Sequence, residues 1–185
     1  MRIISGIKKG KKILLPDPSV TRPLKDSVKE NIFNILKHSY NFRINLEHTN
    51  IIDFFSGSGS FGLECLSRKA QKVIFVENNS KTQNTLYRNL SNNFCKYNYE
   101  ILKKDFFEID KKKLINQINP DLIFLDPPYE ILKFQDIFEF INSLNELKKI
   151  IIILHVNQSK TLLFEKFKFY SERVYGKSKI IFLKN

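Results

Sequence analysis

"NIIDFFSGSGSFGLECL", residues 50–66, passes from a β-branched and aromatic run through a glycine loop into a helical stretch. Gly57, Gly59 and Gly62 keep the G-x-G-x-x-G spacing, and Glu77 ends the next apolar run twenty residues after Gly57. Such a turn lets a ligand touch backbone, and the helix behind it offers its unpaired N–H groups. The loop therefore predicts a strand–turn–helix unit with a nucleotide-type ligand at the turn. Ser56, Gly57 and Gly59 are the candidates to meet that ligand. The spacing alone is equally a nicotinamide-cofactor fingerprint.

Outward from the loop the rhythm repeats. "KVIFVE" (72–77), "YEILKKD" (99–105), "DLIFLD" (121–126) and "KIIIIL" (149–154) are further short apolar runs. Helical stretches at 61–70, 80–93, 110–118 and 134–147 separate them. Strands apolar on both faces, alternating with helices, predict a doubly wound, mostly parallel sheet covered on both sides. Beyond residue 155 a helix is expected near 158–164. Then come two strands, "KFKFYSERV" and "SKIIFLKN", joined through Gly176-Lys177. That makes seven strands, with an antiparallel one near the edge. Upstream, "RIISGI" and "KILL" read as a small hairpin, and "PDPSVTRP" as a loop. "DSVKENIFNIL" opens a helix with Ser27 and Glu30 as a capping box. The chain is expected to be one compact unit: a basic N-terminal extension over 1–43 packed on an α/β domain over 44–185.

Asp53 separates the cofactor classes. It stands four residues before Gly57, where a dinucleotide fold keeps apolar side chains and no charge beside a pyrophosphate. A carboxylate there suits a cationic group such as the ammonium of a methionine moiety; its structural alternative is a buried cap for loop N–H groups. Glu77 suits ribose hydroxyls, because it offers two acceptors. Asp105, at the end of the third run, could accept the exocyclic amine of an adenine with Phe106 beside the ring, or could simply be a turn residue.

"FLDPPYE", residues 124–130, closes the fourth run. Proline fixes its own φ and holds the preceding residue extended, so Asp126 and Pro127 are both constrained. Neither Pro127 nor Pro128 has an N–H. The corner thus presents acceptors only, the Asp126 carboxylate and the carbonyls around Pro127, and an –NH2 group needs two acceptors. Tyr129 can lie against a flat ring, a contact worth ~1–3 kcal/mol per base.

Composition bounds the partner. Net charge is +12 and the pI about 9.6. Residues 1–43 carry ten basic and three acidic side chains, and Arg2, Lys8, Lys9, Lys11 and Lys12 meet no acid before residue 17. With Arg22 in the following loop, this clustering suits a polyanion, and without an amphipathic basic helix nucleic acid is favoured over a membrane surface. No run approaches the ~18 residues of a spanning helix. Cys65 and Cys95 make neither a metal spacing nor a disulfide framework, which points to a reducing cytoplasm. His38, His48 and His155 are isolated and read as surface or packing residues. No metal is expected.

Glycine loop, Asp53 and Asp-Pro-Pro-Tyr together resemble the amino-group methyltransferases that use S-adenosylmethionine, whose motif is Asp/Asn-Pro-Pro-Tyr/Phe. "MRIISGIKKGKKI", "TRP", "VKENIFNIL", "VIFVENN" and "ERVYGKSKIIFL" extend the likeness to the bacterial 16S rRNA (guanine-N2)-methyltransferase family, the RsmD type, from Met1 to Leu183. The chain departs from it at Lys25 and Lys29, where threonine and arginine are commoner, and at His155, where glutamate is expected. The resemblance implies a Rossmann-like methyltransferase sheet and methyl transfer from S-adenosylmethionine to a guanine N2 in 16S rRNA. It also implies protein-bound or assembled RNA as substrate, and a monomeric enzyme. Asp126, Pro127, Pro128 and Tyr129 would then be catalytic. Asp53, Ser56, Gly57, Gly59, Glu77, Asp105 and Phe106 would hold the cofactor. The residues themselves leave rivals: another RNA or a DNA adenine or cytosine amine, a nicotinamide-dependent oxidoreductase, or a non-enzymatic RNA-binding module.

Overall fold

Each apolar run alternates its side chains between two faces, and the two faces need separate covers. In the computed structural model, which describes residues 1–17, 24–147 and 149–185, both covers are present. The strands are β1 Asn50–Phe54, β2 Lys72–Val76, β3 Tyr99–Leu102, β4 Leu122–Leu125, β5 Ile151–Asn157, β6 Phe169–Tyr175 and β7 Ser178–Lys184. They form one sheet in the order β3-β2-β1-β4-β5-β7-β6. β7 alone runs against its neighbours, pairing antiparallel with both β5 and β6. The helices are α1 Asp26–His38, α2 Ser60–Ser67, α3 Ser80–Ser91, α4 Lys111–Ile118 and α5 Phe134–Ser143.

Ile51, Val73, Phe75, Leu122, Phe124, Ile151 and Ile153 share one buried cluster with residues of α1, α2 and α3. Their sequence neighbours Ile52, Ile74, Val76, Ile123, Leu125, Ile152 and Leu154 share the other, with α4 and α5. Doubly wound order follows directly. The chain turns back between β1 and β4, and the strand ends there open a crevice at the carboxyl edge.

The N-terminal segment is fastened to α2. The Glu64 carboxylate, wholly buried, accepts the Ile4 N–H at 2.7 Å and the Ser5 N–H at 2.9 Å. Ser67 adds its carbonyl to the Ile7 N–H and its Oγ to the Lys8 N–H. Lys29 of α1, also fully buried, donates from Nζ to the Arg2 carbonyl at 2.8 Å, and burial lowers its pKa.

Three expectations are amended. The N-terminal hairpin is shorter than expected: its arms pair antiparallel at Arg2 and Lys12, with the Ile3 N–H on the Lys11 carbonyl and the Ile13 N–H on the Met1 carbonyl, while Ile7 and Lys8 give their N–H groups to α2. The capping box does not form: α1 starts at Asp26 after Lys25, so Ser27 already lies inside the first turn. Residues 158–164 carry no helix; Asn157 takes the Ser159 N–H into an Asx turn, and a turn closed by the Phe167 N–H on the Phe164 carbonyl buries both rings in the core. No helix among the described residues is long and apolar enough to cross a membrane.

Candidate active site

The carboxyl edge of β1, β2 and β4 borders a cavity of about 340 Å³. Asp53, Ser56, Gly57, Glu77, Phe106 and all of Asp126, Pro127, Pro128 and Tyr129 line it. Nine of the eleven residues proposed from sequence for cofactor and catalysis therefore meet in one place.

The glycine loop is built by its neighbours. Gly57 has φ of +56° with open space where a Cβ would stand, so its backbone is bare toward the cavity. Its N–H donates to Glu77 Oε2 at 2.9 Å, and the Asn79 N–H donates to Oε1 at 2.8 Å. Glu77 thus clamps the loop after β1 to the loop after β2, while still lining the cavity. Gly59 does not reach the cavity wall. At φ of +78°, a Cβ there would stand 2.4 Å from Leu86 Cδ1, so this glycine serves packing against α3.

Asp53 is 1% exposed, in the middle of an otherwise apolar strand. Its Oδ2 accepts the Gly62 N–H at 3.1 Å, capping α2 from the sheet side, since the N-cap Gly59 has no side chain to do so. Burial pushes its carboxyl well above the usual range; the Gly62 bond opposes this, and the charges of Asp126 and Glu77 add to it. The capping alternative holds, and the same residue also lines the cavity.

Asp105 is the second residue, after Gly59, that does not line the cavity. Its Oδ1 takes the Phe107 N–H and its Oδ2 the Asn78 Nδ2–H at 2.7 Å. It holds Asn78, which lines the cavity. Phe106 lies stacked against Phe55 with centroids 5.0 Å apart, and both line the cavity as a flat wall. Phe55 escaped the sequence reading. It carries φ of +59°, a strained conformation for an aromatic residue, and the sharp strand-to-loop turn imposes it.

Asp126 does not stand alone either. Its Oδ1 is 2.8 Å from His155 Nδ1. The imidazole Nε2 is 3.4 Å from the Tyr129 hydroxyl, which also contacts Ser178 Oγ at 3.0 Å and the Lys177 carbonyl at 3.2 Å. Sequence reasoning treated His155 as packing. What brings it to Asp126 is the register that sets Leu154 opposite Leu125, one residue earlier on each strand.

Arg2, Lys9, Lys11 and Lys12 are exposed and Lys8 half-buried; none lines the cavity. Arg22 lies outside the described residues.

The family model described as Conserved hypothetical protein 95 matches residues 1–184. A Haemophilus influenzae protein named "Ribosomal RNA small subunit methyltransferase D" is 35% identical over 130 residues, 70% of this chain and 64% of that one. The match thus spans a little under two thirds of that relative's length. The crystal structure of "putative methylase HI0767" from Haemophilus influenzae superposes with a TM-score of 0.73 at 26% identity, covering 100% of this chain and 98% of its own. A structure of SMU.776, "a putative methyltransferase complexed with SAH", shares the fold at a TM-score of 0.62 and 16% identity over 85% of this chain and 49% of that one. The chain belongs to the Conserved hypothetical protein 95 family, the RsmD family.

Proposed function

We propose that this chain transfers a methyl group from S-adenosylmethionine to the exocyclic N2 of a guanine in 16S rRNA. The observation that carries the reading is that the acceptors of Asp126 and Pro127, with Tyr129 beside them, share one cavity with a buried carboxylate and a bare glycine turn. The printed names of the rRNA methyltransferase relative and the SAH complex agree with it.

The cavity suits S-adenosylmethionine in its donors and acceptors. Asp53 would take the ammonium, Glu77 the ribose hydroxyls, the Gly57 backbone would allow close approach, and Phe55 with Phe106 would meet the adenine face. When bound, the cofactor supplies an electrophilic methyl whose sulfonium leaves as a neutral thioether, so no side chain need protonate it. The chain's own residues then position the target. A guanine N2 is poorly nucleophilic, because its lone pair is conjugated into the ring. Hydrogen bonds to the Asp126 carboxylate and the Pro127 carbonyl favour a pyramidal nitrogen aimed into the cavity, and the Asp126 carboxylate is the nearest base for the proton it releases. Orientation of this kind is worth several kcal/mol of barrier. The base must leave its stack to arrive there, and Tyr129 offers a ring against which it can lie.

Calorimetry tests the cofactor: S-adenosylmethionine and S-adenosylhomocysteine should bind and NAD should not. Asp126→Ala should then abolish transfer while changing cofactor affinity little, and Asp126→Asn, which keeps an acceptor, should retain some. Tight NAD binding with no response to the other two, or full activity in the alanine variant, would refute the reading.

A further inference from the structure

His155 is 2% exposed on a strand whose neighbours Leu154 and Val156 are buried and apolar. A buried imidazole without partners costs about 1–3 kcal/mol, so packing alone would favour an aliphatic residue there. Register supplies the partner. β4 and β5 run parallel with Leu125 opposite Leu154, and the next step along both strands sets Asp126 opposite His155. Nδ1 stands 2.8 Å from Asp126 Oδ1, an ion-pair distance at which the ring N–H is not aligned as a hydrogen bond; a carboxylate only accepts, so the contact favours a proton on Nδ1. Nε2 is left facing the Tyr129 hydroxyl at 3.4 Å, and that hydroxyl is seated on Lys177 and Ser178 where β7 begins. Three carboxyl groups, Asp53, Glu77 and Asp126, line the cavity together with one amine, Lys104.

We propose that His155 is the positioning residue for Asp126: it holds Oδ1 from behind, turns Oδ2 toward the target amine, and couples the carboxylate to Tyr129 so that the acceptor corner moves as one body. The inference rests on the methyl-transfer reading for its consequence, and on the Asp126 contact for its geometry. It also accounts for a histidine where the family resemblance leads one to expect glutamate. A glutamate has no proton for Asp126 when ionised, so the two side chains cannot do the same work.

Two measurements test it on the full chain. The first does not require activity. With histidines labelled by ¹⁵N and His155 assigned by its loss in His155→Gln, the spectrum should show a protonated Nδ1. Asp126→Ala should abolish that preference. The second uses side-chain reach: an asparagine amide extends as far as Nδ1, and a glutamine amide as far as Nε2. His155→Gln should lower kcat about tenfold or more with KM for RNA within about twofold, and His155→Asn should recover most of the loss. S-adenosylmethionine affinity, read by calorimetry, should be retained in both and certifies folding. If the buried variants fail to fold, the spectrum of Asp126→Ala decides alone, because that side chain lies at the cavity surface. Equal turnover in the Asn and Gln variants, a loss confined to KM, or a tautomer indifferent to Asp126→Ala would overturn the inference. A wild-type chain that shows the Asp126-dependent tautomer yet methylates no rRNA would instead sink the methyl-transfer reading and leave the pair standing.

Discussion

Asp53 carries opposite demands. It caps α2 from inside an apolar layer and, in the function proposed above, also meets a cation; burial raises its pKa from the ordinary value of 3.8. The sign of the consequence is fixed. A folded chain that keeps this proton longer than the unfolded chain gains stability that is present below 3.8 and lost as pH rises through the folded value. Asp53→Asn keeps an oxygen for the Gly62 N–H and removes the charge. In urea titrations its unfolding free energy, relative to wild type, should therefore rise as pH is raised from about 4 toward neutrality. A difference independent of pH, or one of opposite slope, would contradict the assignment. In the same variant S-adenosylmethionine affinity should fall by about tenfold, the scale of a hydrogen bond to a charged group.

At this scale the sequence was informative where a residue's type broke its local pattern. A carboxylate inside an apolar run marked Asp53, and an acid before two prolines marked Asp126. Asp105 lies off the cavity wall, its oxygens accepting from Phe107 and Asn78. His155 stayed hidden because its role depends on the register of β4 against β5, and no local pattern contains that.

Among elements, the glycine turn separates folding from binding. Gly59→Ala forces a Cβ into Leu86 at a positive φ, and should cost about 1–3 kcal/mol of stability. Gly57→Ala also meets a positive φ, but its Cβ enters open space. It should cost roughly 1–2 kcal/mol from backbone strain alone. Its larger effect should be on cofactor affinity, because the methyl occupies the surface a ligand would approach. Urea midpoints and calorimetry on the two variants should rank them in opposite orders. The same ranking by both methods would mean that the glycines share one role. The strands and five helices were legible because their periodicity is dictated by burial on both faces. The missing helix at 158–164 was not. Its apolar residues, Leu162, Leu163 and Phe164, are consecutive rather than helically spaced, and the Asn157 turn and the turn that buries Phe164 and Phe167 replace a helix there.

Across the whole molecule, the charge lies apart from the chemistry. Lys8, Lys9, Lys11 and Lys12 ride on a turn fastened to α2 through Glu64 and Ser67, away from the cavity wall. Acid-free clustering opposes compaction slightly, so a polyanion partner explains it better than folding does. Replacing the four lysines by serine should weaken RNA binding and flatten its log–log salt slope by about 0.7–0.9 for each phosphate the chain no longer neutralises. Cofactor affinity should be untouched. An unchanged slope would move the RNA footprint elsewhere on the surface.

The central claim is that the cavity brings a methyl donor and an exocyclic amine together on Asp126. Small ribosomal subunits that lack the modification can be incubated with this chain and methyl-labelled S-adenosylmethionine, and the 16S rRNA then digested and its nucleosides separated. The label should appear as N2-methylguanosine with wild type and vanish with Asp126→Ala. Label on a ribose oxygen or a ring carbon, or no label from a chain that demonstrably binds the cofactor, would contradict the account.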